Sequence, residues 1–320
     1  MRLLVTGGAG FIGSNFIRHM MDADPNAEII NYDLLTYAGN LNNLKEIDKQ
    51  SRYTFIRGDI CDRDLVSATL KKNAVDAIVH FAAESHVDRS ITDPSAFVRT
   101  NVLGTHTLLE AARNHSVPRF IHISTDETYG SIMTGSFRET DLLTPSSTYS
   151  ASKAGSDLLA LSYYTTYHFP TIVTRCTNNF GPYQYPEKLI PLFITNLLEG
   201  KKVPVYGTGK NIRDWIHVQD HCRAVQFLLD HGTPGEIYNI GGGNEKTNLE
   251  ITEKILALLG KDQSMVEYVA DRPGHDFRYS LDCSKIRAMG WKPLYSFEKG
   301  LEDTVAWYRQ NEWWWQPLKK

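Results

Sequence analysis

The sequence of 320 residues predicts an α/β protein: a doubly wound, Rossmann-type parallel sheet with a smaller mixed α/β lobe. Short apolar runs alternate with helical segments of ten or more residues, which is the pattern of βαβ units. A glycine-rich turn joins the first apolar run to the first helical segment, as in dinucleotide-binding folds. After residue 177, prolines and glycine clusters interrupt the alternation, and this change predicts the lobe.

Each element follows from its own local pattern. Apolar runs predict the strands of the sheet at residues 2–6, 28–32, 54–57, 77–81, 119–123, 171–175 and 237–240. Helical spacing predicts helices at residues 12–21, 62–72, 94–114, 150–168 and 218–229. We therefore assign residues 1–177 and about 216–243 to a dinucleotide-binding domain, and about 178–215 and 244–320 to a substrate-binding lobe.

Composition and charge limit the class of protein. The net charge of -3 argues against a general nucleic-acid binder. No apolar run approaches the ~18–20 residues of a membrane span, and the first residues lack the pattern of a signal peptide. The cysteines are scattered, without a disulfide or metal-ligand spacing: Cys61, Cys176, Cys222 and Cys283. We expect a cytoplasmic protein with reduced thiols, no membrane contact and no bound metal.

The glycine-rich turn, residues 7–13, reads GGAGFIG and predicts a dinucleotide site. Glycine allows the backbone to approach a pyrophosphate, whose charge then lies at the N-terminus of the following helix. Asp33 ends the second strand, where a carboxylate binds ribose hydroxyls and repels a 2′-phosphate, so the cofactor predicted is NAD. Asp59 follows the third strand and either contacts the adenine or caps the next helix.

Tyr149 and Lys153 form a Tyr-x-x-x-Lys pair that opens a helix after the fifth strand. The spacing puts both side chains on one helix face, at the cofactor edge of the sheet. We expect the ammonium and a nicotinamide ring to lower the pKa of Tyr149, making it a base. We also expect Asn101 to support Lys153 through water or backbone. Two further pairs match the spacing without that context: Tyr206/Lys210 and Tyr295/Lys299.

Asp126 and Glu127 follow Ser124 and Thr125 at the end of the fifth strand. Two carboxylates in one apolar site do not both ionise easily, so one is held protonated as an acid while the other acts as a base. Elimination of water needs this division. The pair beside Tyr149 therefore predicts a sugar dehydratase that uses NAD.

The loop after the fourth strand contributes further candidates. Small side chains at Ala82 and Ala83 let a dinucleotide lie close, and Ser85 can hydrogen-bond a sugar hydroxyl. His86 and Arg89 either bind ligand or anchor the loop.

The predicted lobe carries residues suited to a diphosphate and a base. Arginine offers bidentate donors to phosphate oxygens. Tyr206 either stacks on the base or packs in the core. The tryptophans at 313–315 close the core with a last helix or, alternatively, cap a partner subunit. The candidates for binding the diphosphate and the base are Lys188, Arg213, Asn248, Arg272 and His275.

These motifs resemble the extended short-chain dehydrogenase/reductase family, and within it the nucleotide-sugar 4,6-dehydratases. The Asp126-Glu127 pair is the specific part, because epimerases and decarboxylases of the family usually lack it. Thr128 departs from the pattern, since such dehydratases commonly have valine there. The resemblance covers nearly the whole chain, in residues 6–13, 33–36, 82–90, 124–130, 149–153, 178–181, 188–191, 206–209, 213–215 and 271–275.

The resemblance implies NAD as cofactor, dTDP-glucose as substrate and a homodimer built through a four-helix bundle. Helices near 101–114 and 150–168 would supply the bundle, with apolar Leu158, Leu161 and Tyr164 exposed. Implied catalytic residues are Thr125, Asp126, Glu127, Tyr149 and Lys153. Implied cofactor residues are Gly7, Gly10, Phe11, Ile12, Gly13, Asp33, Leu34, Thr36, Asp59, Ile60, Ala82, Ala83, Thr100, Tyr149, Lys153 and Asn179. Implied substrate residues are Ser85, Thr125, Asn178, Lys188, Leu189, Tyr206, Arg213, Asn248, Arg272 and His275.

Three other functions are compatible with the fold. A UDP-sugar 4-epimerase is disfavoured by the Asp126-Glu127 pair. A CDP- or GDP-sugar dehydratase differs only in the base that its loops select. A redox-sensing NAD-binding module without turnover is disfavoured because the Tyr149/Lys153 pair is intact.

Overall fold

A computed structural model describes residues 1–271 and 275–319, so the predicted substrate residue Arg272 lies outside the described residues. The strands are, in chain order, β1 (Arg2–Thr6), β2 (Glu28–Asp33), β3 (Tyr53–Arg57), β4 (Ala77–His80), β5 (Phe120–Thr125), β6 (Thr171–Cys176), β7 (Asn178–Phe180), β8 (Val203–Tyr206), β9 (Ile212–His217), β10 (Ile237–Ile240), β11 (Glu245–Thr247) and β12 (Val266–Val269). Seven of them form one sheet in the order β10-β6-β5-β4-β1-β2-β3. Every neighbouring pair in it is parallel, which confirms the predicted fold class.

The helices follow the strands as βαβ units require. They are α1 (Phe11–Ala23), α2 (Arg63–Asn73), α3 (Val87–Thr92), α4 (Pro94–Phe97), α5 (Thr105–Asn114), α6 (Thr148–Tyr167), α7 (Leu189–Leu198), α8 (Val218–His231), α9 (Asn248–Leu258), α10 (Ser284–Ala288), α11 (Phe297–Gln310) and α12 (Glu312–Trp315). A π-helical segment, Val98–Gly104, lies between α4 and α5, so the single helix predicted at 94–114 is three helical pieces in series. Short 3-10 turns lie at Leu41–Leu44, Asp126–Tyr129, Gln263–Met265 and Gln316–Leu318.

Helices cover both faces of the sheet. On one face, α1 and α8 pack against side chains such as Leu3 and Val5. On the other face, α2, α5 and α6 pack against side chains such as Leu4 and Ile78. Because both faces are buried, the central strands are rich in apolar residues, which is why they are recognisable as short apolar runs.

Two small sheets lie outside the large one, with strand orders β11-β9-β7 and β12-β8. They pack with α7, α9 and α11 around a separate apolar core that includes Trp314 and Trp315. These tryptophans close the core as predicted, whereas Trp313 is 51% exposed. Strand β9 extends to His217, two residues beyond the predicted boundary at 215. The domain assignment itself stays a prediction.

The carboxyl ends of the parallel strands meet at one edge of the sheet. The chain leaves β1 toward β2 on one side and later enters β4 on the other side of β1, so the strand order reverses there. Ligands of open parallel sheets bind in the crevice at this reversal. Within the described ranges, no helix is long and apolar enough to cross a bilayer.

Candidate active site

Two adjoining cavities, of about 340 and 200 Å³, open at this edge of the sheet. Every residue predicted to bind the cofactor lines the larger cavity, as do Thr125, Asp126 and Glu127. The described substrate candidates divide between the two cavities. Ser85, Thr125, Asn178 and Lys188 line the larger one, and Asn178, Lys188, Leu189, Tyr206, Arg213, Asn248 and His275 line the smaller one.

The turn between β1 and α1 fits a dinucleotide pyrophosphate. Gly7 has φ +68°, and a Cβ there would lie 2.6 Å from the backbone nitrogen of Ala82. A Cβ on Gly13 would lie 2.3 Å from the Gly7 carbonyl oxygen. In the described chain, no side chain caps α1 and no acidic residue stands in its first turn. The first N–H groups of α1 are therefore available to an anion.

Asp33 lies where β2 ends and faces the larger cavity. Its carboxylate accepts hydrogen bonds from the backbone N–H of Ala9 at 2.9 Å and of Leu35 at 2.7 Å. These bonds hold the carboxylate beside the glycine turn, as ribose binding requires. Burial raises the pKa of Asp33, and the two N–H groups oppose that rise.

Asp59 also lines the larger cavity, and it is not a helix cap. Its carboxylate accepts hydrogen bonds from the Cys61 backbone at 2.8 Å and from Arg99 at 2.7 Å. The N-cap of α2 is Asp62, which accepts from the Leu65 backbone at 3.0 Å. The capping alternative for Asp59 is therefore wrong, and contact with the cofactor stays a prediction.

The carboxylate pair is placed by the turn that ends β5. The Thr125 hydroxyl accepts from the Glu127 backbone N–H at 3.3 Å and donates to Asp126 Oδ1 at 3.2 Å. The other carboxylate oxygen, Asp126 Oδ2, is buried and has no hydrogen-bond partner among the described residues. Burial, and then the charge of Glu127, raise the pKa of Asp126 well above its usual value. This shift favours the protonated form of Asp126, whose role as the acid of the pair stays a prediction.

Tyr149 and Lys153 lie one turn apart at the start of α6, and both are buried. The Lys153 ammonium donates to the Ile123 carbonyl at 2.8 Å, and burial lowers its pKa to about 8. The pKa of Tyr149 is raised well above its usual value by burial and by the charge of Glu127. The lowering expected from Lys153 together with a nicotinamide ring stays a prediction, and the raised pKa is that of the protein without a cofactor. A positive charge bound beside the phenol would oppose this shift.

Asn101, in the π-helical segment, connects the loop after β4 to α6. Its amide oxygen accepts from the Glu84 backbone at 2.9 Å, and its amide nitrogen donates to the Glu84 carbonyl and to Ser152 Oγ. Asn101 therefore contacts Ser152, the neighbour of Lys153, and its support of Lys153 through water or backbone stays a prediction. Ala82 and Ala83 line the cavity from the loop that it holds.

Tyr206 and Arg213 face the smaller cavity. Tyr206 is 41% exposed, so the core-packing alternative for it is wrong. The Arg213 guanidinium donates to the carbonyls of Ile212 at 2.7 Å and Asp276 at 2.9 Å, and it stacks over the Tyr279 ring at 4.2 Å. Its position is therefore fixed before any ligand binds.

Some residues were missed or misjudged from the sequence. Tyr37, Tyr185 and Glu187 line the larger cavity but stand in no recognisable motif. The one sequence feature that could have indicated Glu187 is its position next to Lys188, which was predicted to bind substrate. Arg89 anchors its segment by stacking over Tyr37 at 3.7 Å. His86 pairs with Glu187 at 3.4 Å and also lines the smaller cavity, so ligand binding by His86 stays a prediction.

Asn179 lines the cavity, but its amide is engaged within the protein. Its nitrogen donates to the Thr177 carbonyl at 3.0 Å, and its oxygen is 2.9 Å from His221 Nδ1. Contact of this residue with a cofactor stays a prediction.

Comparisons with known proteins agree with this geometry. The family model described as GDP-mannose 4,6 dehydratase matches residues 4–304. The chain is 56% identical to a dTDP-glucose 4,6-dehydratase of Streptomyces niveus, with 100% of this chain and 96% of the relative covered. It is 53% identical to a dTDP-glucose 4,6-dehydratase of an Actinoplanes species, covering 98% and 100%.

The same group appears among solved structures. The dTDP-glucose 4,6-dehydratase DesIV of Streptomyces venezuelae, solved with NAD bound, superposes with a TM-score of 0.97 at 56% identity, covering 100% of both chains. The chain belongs to the GDP-mannose 4,6-dehydratase family, among the extended short-chain dehydrogenases/reductases.

Proposed function

We propose that this chain is an NAD-dependent hydro-lyase that converts dTDP-glucose to dTDP-4-keto-6-deoxyglucose. The observation that carries the proposal is Asp126: a buried carboxyl group with one unpartnered oxygen, adjacent to Glu127, in the cavity that holds Tyr149 and Lys153. A dehydrogenase or an epimerase needs the Tyr149/Lys153 pair but has no use for a second, protonated acid.

Bound NAD would supply a hydride acceptor for sugar C4 and, once reduced, a hydride donor for C6, so the reaction has no net redox change. Gly7, Gly13 and the start of α1 would hold its pyrophosphate, and Asp33 would hold the adenosine ribose. Tyr149 removes the proton of the sugar 4-OH while Thr125 orients that hydroxyl. The Lys153 ammonium, next to the cavity, favours the phenolate form.

The two carboxyl groups perform the elimination. A 4-ketone acidifies the C5 hydrogen, which Glu127 removes as a base. Asp126 donates its proton to the 6-OH, which leaves as water, and C5 is reprotonated when the hydride is returned to C6. Burial, and then the charge of Glu127, raise the pKa of Asp126 and so favour the protonated form that this step needs.

The smaller cavity is suited to the nucleotide part of the substrate. Asn178 and Lys188 line both cavities, so the sugar would lie between them, at the junction. Arg213 presents a fixed cation to the diphosphate, and Tyr206 offers an exposed ring to the base. Asn248 and His275 complete the wall of this cavity.

Incubation of the protein with dTDP-glucose tests the proposal. The reaction is monitored by the mass of the product and by the absorbance of NADH. Loss of one water without accumulation of NADH is expected. An unchanged mass with inversion at C4 would make the chain an epimerase and overturn the proposal. Parallel reactions with CDP-glucose and GDP-mannose test which nucleotide the enzyme prefers. Faster dehydration of either would overturn the assignment of dTDP-glucose as substrate.

We also propose that the chain forms a homodimer through α5 and α6, paired as a four-helix bundle. Leu158 is 59% exposed and Tyr164 37%, while Leu161 is half-buried. On the preceding π-helical segment, Val98 is 55% and Leu103 49% exposed. Light scattering should give a dimer for the wild type and a monomer for Leu158→Asp. A monomeric wild type would contradict the proposal.

A reducing compartment, the cytoplasm, is proposed from the thiols. All four cysteines are free, and three of them are buried. Disulfides are typical of oxidising compartments and rare in the cytosol. Titration of four thiols in denatured protein isolated without reductant would agree with this assignment.

A further inference from the structure

We propose that Tyr37 and Glu187 form a clasp across the cofactor cavity, which slows release of the dinucleotide between the two hydride transfers. The inference rests on the proposed function, because only a reaction that uses and regenerates the same cofactor molecule gains from such a clasp. Neither residue is part of the proposed chemistry on the sugar.

The clasp joins two separate walls of the cavity. Tyr37 stands in the loop after β2, next to the residues that follow Asp33, and Glu187 stands in the loop between β7 and α7. The Tyr37 hydroxyl donates to Glu187 Oε1 at 2.9 Å. Both residues line the larger cavity, together with the adjacent Thr36 and Lys188. One hydrogen bond therefore connects the β2 side of the cofactor cavity to the side formed by the second lobe.

Both ends of the bond are anchored by the loop after β4. His86 Nε2 lies 3.4 Å from Glu187 Oε2, and the Arg89 guanidinium lies 3.7 Å from the centre of the Tyr37 ring. The Tyr185 ring meets Tyr37 edge-on at 5.5 Å. These contacts bring three loops together over one cavity, so opening it requires more than the motion of one side chain.

The environment strengthens the bond. The Glu187 side chain is only 17% exposed, so the hydrogen bond to its carboxylate is largely shielded from water. Burial, and then the charge of Glu187, raise the pKa of Tyr37 above its usual value, so the phenol stays protonated and donates at neutral pH. Hydrogen bonds to charged groups are the stronger class.

A clasp of this kind acts on the rate of release. A dinucleotide held by the glycine turn and Asp33 would occupy the cavity that both Tyr37 and Glu187 line. If the reduced cofactor left before returning its hydride, the sugar would stay at the keto stage and the enzyme would stop. Because the Tyr37–Glu187 hydrogen bond must break before the dinucleotide leaves, it raises the barrier to dinucleotide release. It does not raise the barrier to the reaction on the sugar.

Tyr37→Phe tests the clasp, because it removes the hydroxyl and keeps the ring under Arg89. Tyr185→Phe is the matched control: it removes a hydroxyl from the same cavity wall, but that hydroxyl donates to the Leu318 carbonyl at 3.4 Å. Each holoenzyme is diluted into an excess of a fluorescent etheno-adenine NAD, and the exchange rate is measured. The expected result is release about tenfold faster in Tyr37→Phe, and at the wild-type rate in Tyr185→Phe.

Glu187→Gln provides a second variant, since it keeps an acceptor oxygen but loses the charge. Its release rate should lie between those of the wild type and Tyr37→Phe. Wild-type release rates in both variants, with unchanged thermal stability, would overturn the clasp. The measurement uses no sugar, so a chain without dehydratase activity would still report on the clasp, and the two proposals fail separately.

Discussion

The hydroxyl of Thr128 donates a hydrogen bond of 2.9 Å to the backbone carbonyl of Thr125. Thr128 is fully buried, and Thr125 caps the turn that carries both active-site carboxyl groups. Valine is common at this position in the dehydratases that the sequence resembles. Threonine is tolerated at position 128 because its hydroxyl is hydrogen-bonded inside the turn. The residue before it, Glu127, lines the cavity.

Replacing Thr128 with valine should therefore alter stability more than activity. The change keeps the shape of the side chain and removes one buried hydrogen bond, which costs about 1 kcal/mol. Urea unfolding should show this loss, while turnover stays within about threefold of the wild type. A drop in turnover of a hundredfold, with little loss of stability, would mean that the hydroxyl positions Thr125 for catalysis.

Asp126→Asn should stabilise the fold, increasingly so as pH rises. The pKa of Asp126 is raised on folding, so the folded state holds its proton above the pH at which the unfolded state loses it. The wild type then loses up to ~1.4 kcal/mol relative to the variant for each pH unit above the ordinary aspartate pKa. The loss ends once pH passes the folded-state pKa. Chemical denaturation at pH 5, 6.5 and 8 measures the difference, and an equal difference at all three values would contradict the assignment of Asp126 as a protonated acid.

The two carboxyl variants should fail at different stages of the reaction. In Asp126→Asn the 6-OH lacks its acid, so exchange at C5 in heavy water continues while water loss slows by roughly 100-fold or more. In Glu127→Gln the base is lost, and exchange at C5 should stop as well. Mass spectrometry of recovered sugar separates the two outcomes. If both variants eliminate water at full rate, the roles given to these carboxyl groups are wrong.

Lys153→Met should reveal the cost of burying an ammonium. Folding lowers the pKa of Lys153 from 10.5 to about 8, so between these values the folded wild type releases a proton that the unfolded chain retains. The stability of the wild type relative to the variant should therefore increase as pH rises from 8 to 10.5, and it should fall back as pH drops through 8. Denaturation curves at pH 7.5 and 10 test the sign. A pH-independent difference would mean that the ammonium is not desolvated by folding.

Much of the fold was predictable because the central strands are buried on both faces and are therefore rich in apolar residues. The glycine turn and Asp33 were equally accessible, since close backbone approach and ribose binding each require a particular residue type at a fixed distance from a strand. The π-helical segment Val98–Gly104 was not, because its side-chain pattern does not differ from that of the α-helix around it.

The site was predictable where one local segment supplies the chemistry, as in 124–127 and 149–153. The site was less predictable where its function depends on contacts between loops that are distant in sequence. The hydrogen bond between Tyr37 and Glu187 spans 150 positions in sequence, and no local pattern marks either partner. The raised pKa of Tyr149 in the protein without a cofactor was not predictable for a related reason: the spacing to Lys153 was visible, but the burial and the Glu127 charge that raise this pKa were not.

The most direct test of the central claim follows one atom through the reaction. dTDP-glucose carrying deuterium at C4 is incubated with the wild-type enzyme in ordinary water, and the product is examined by mass and by NMR. Return of the same hydride predicts a product lighter by one water, with the deuterium retained and located at C6. A dehydrated product without deuterium, or a product of unchanged mass, would contradict the account.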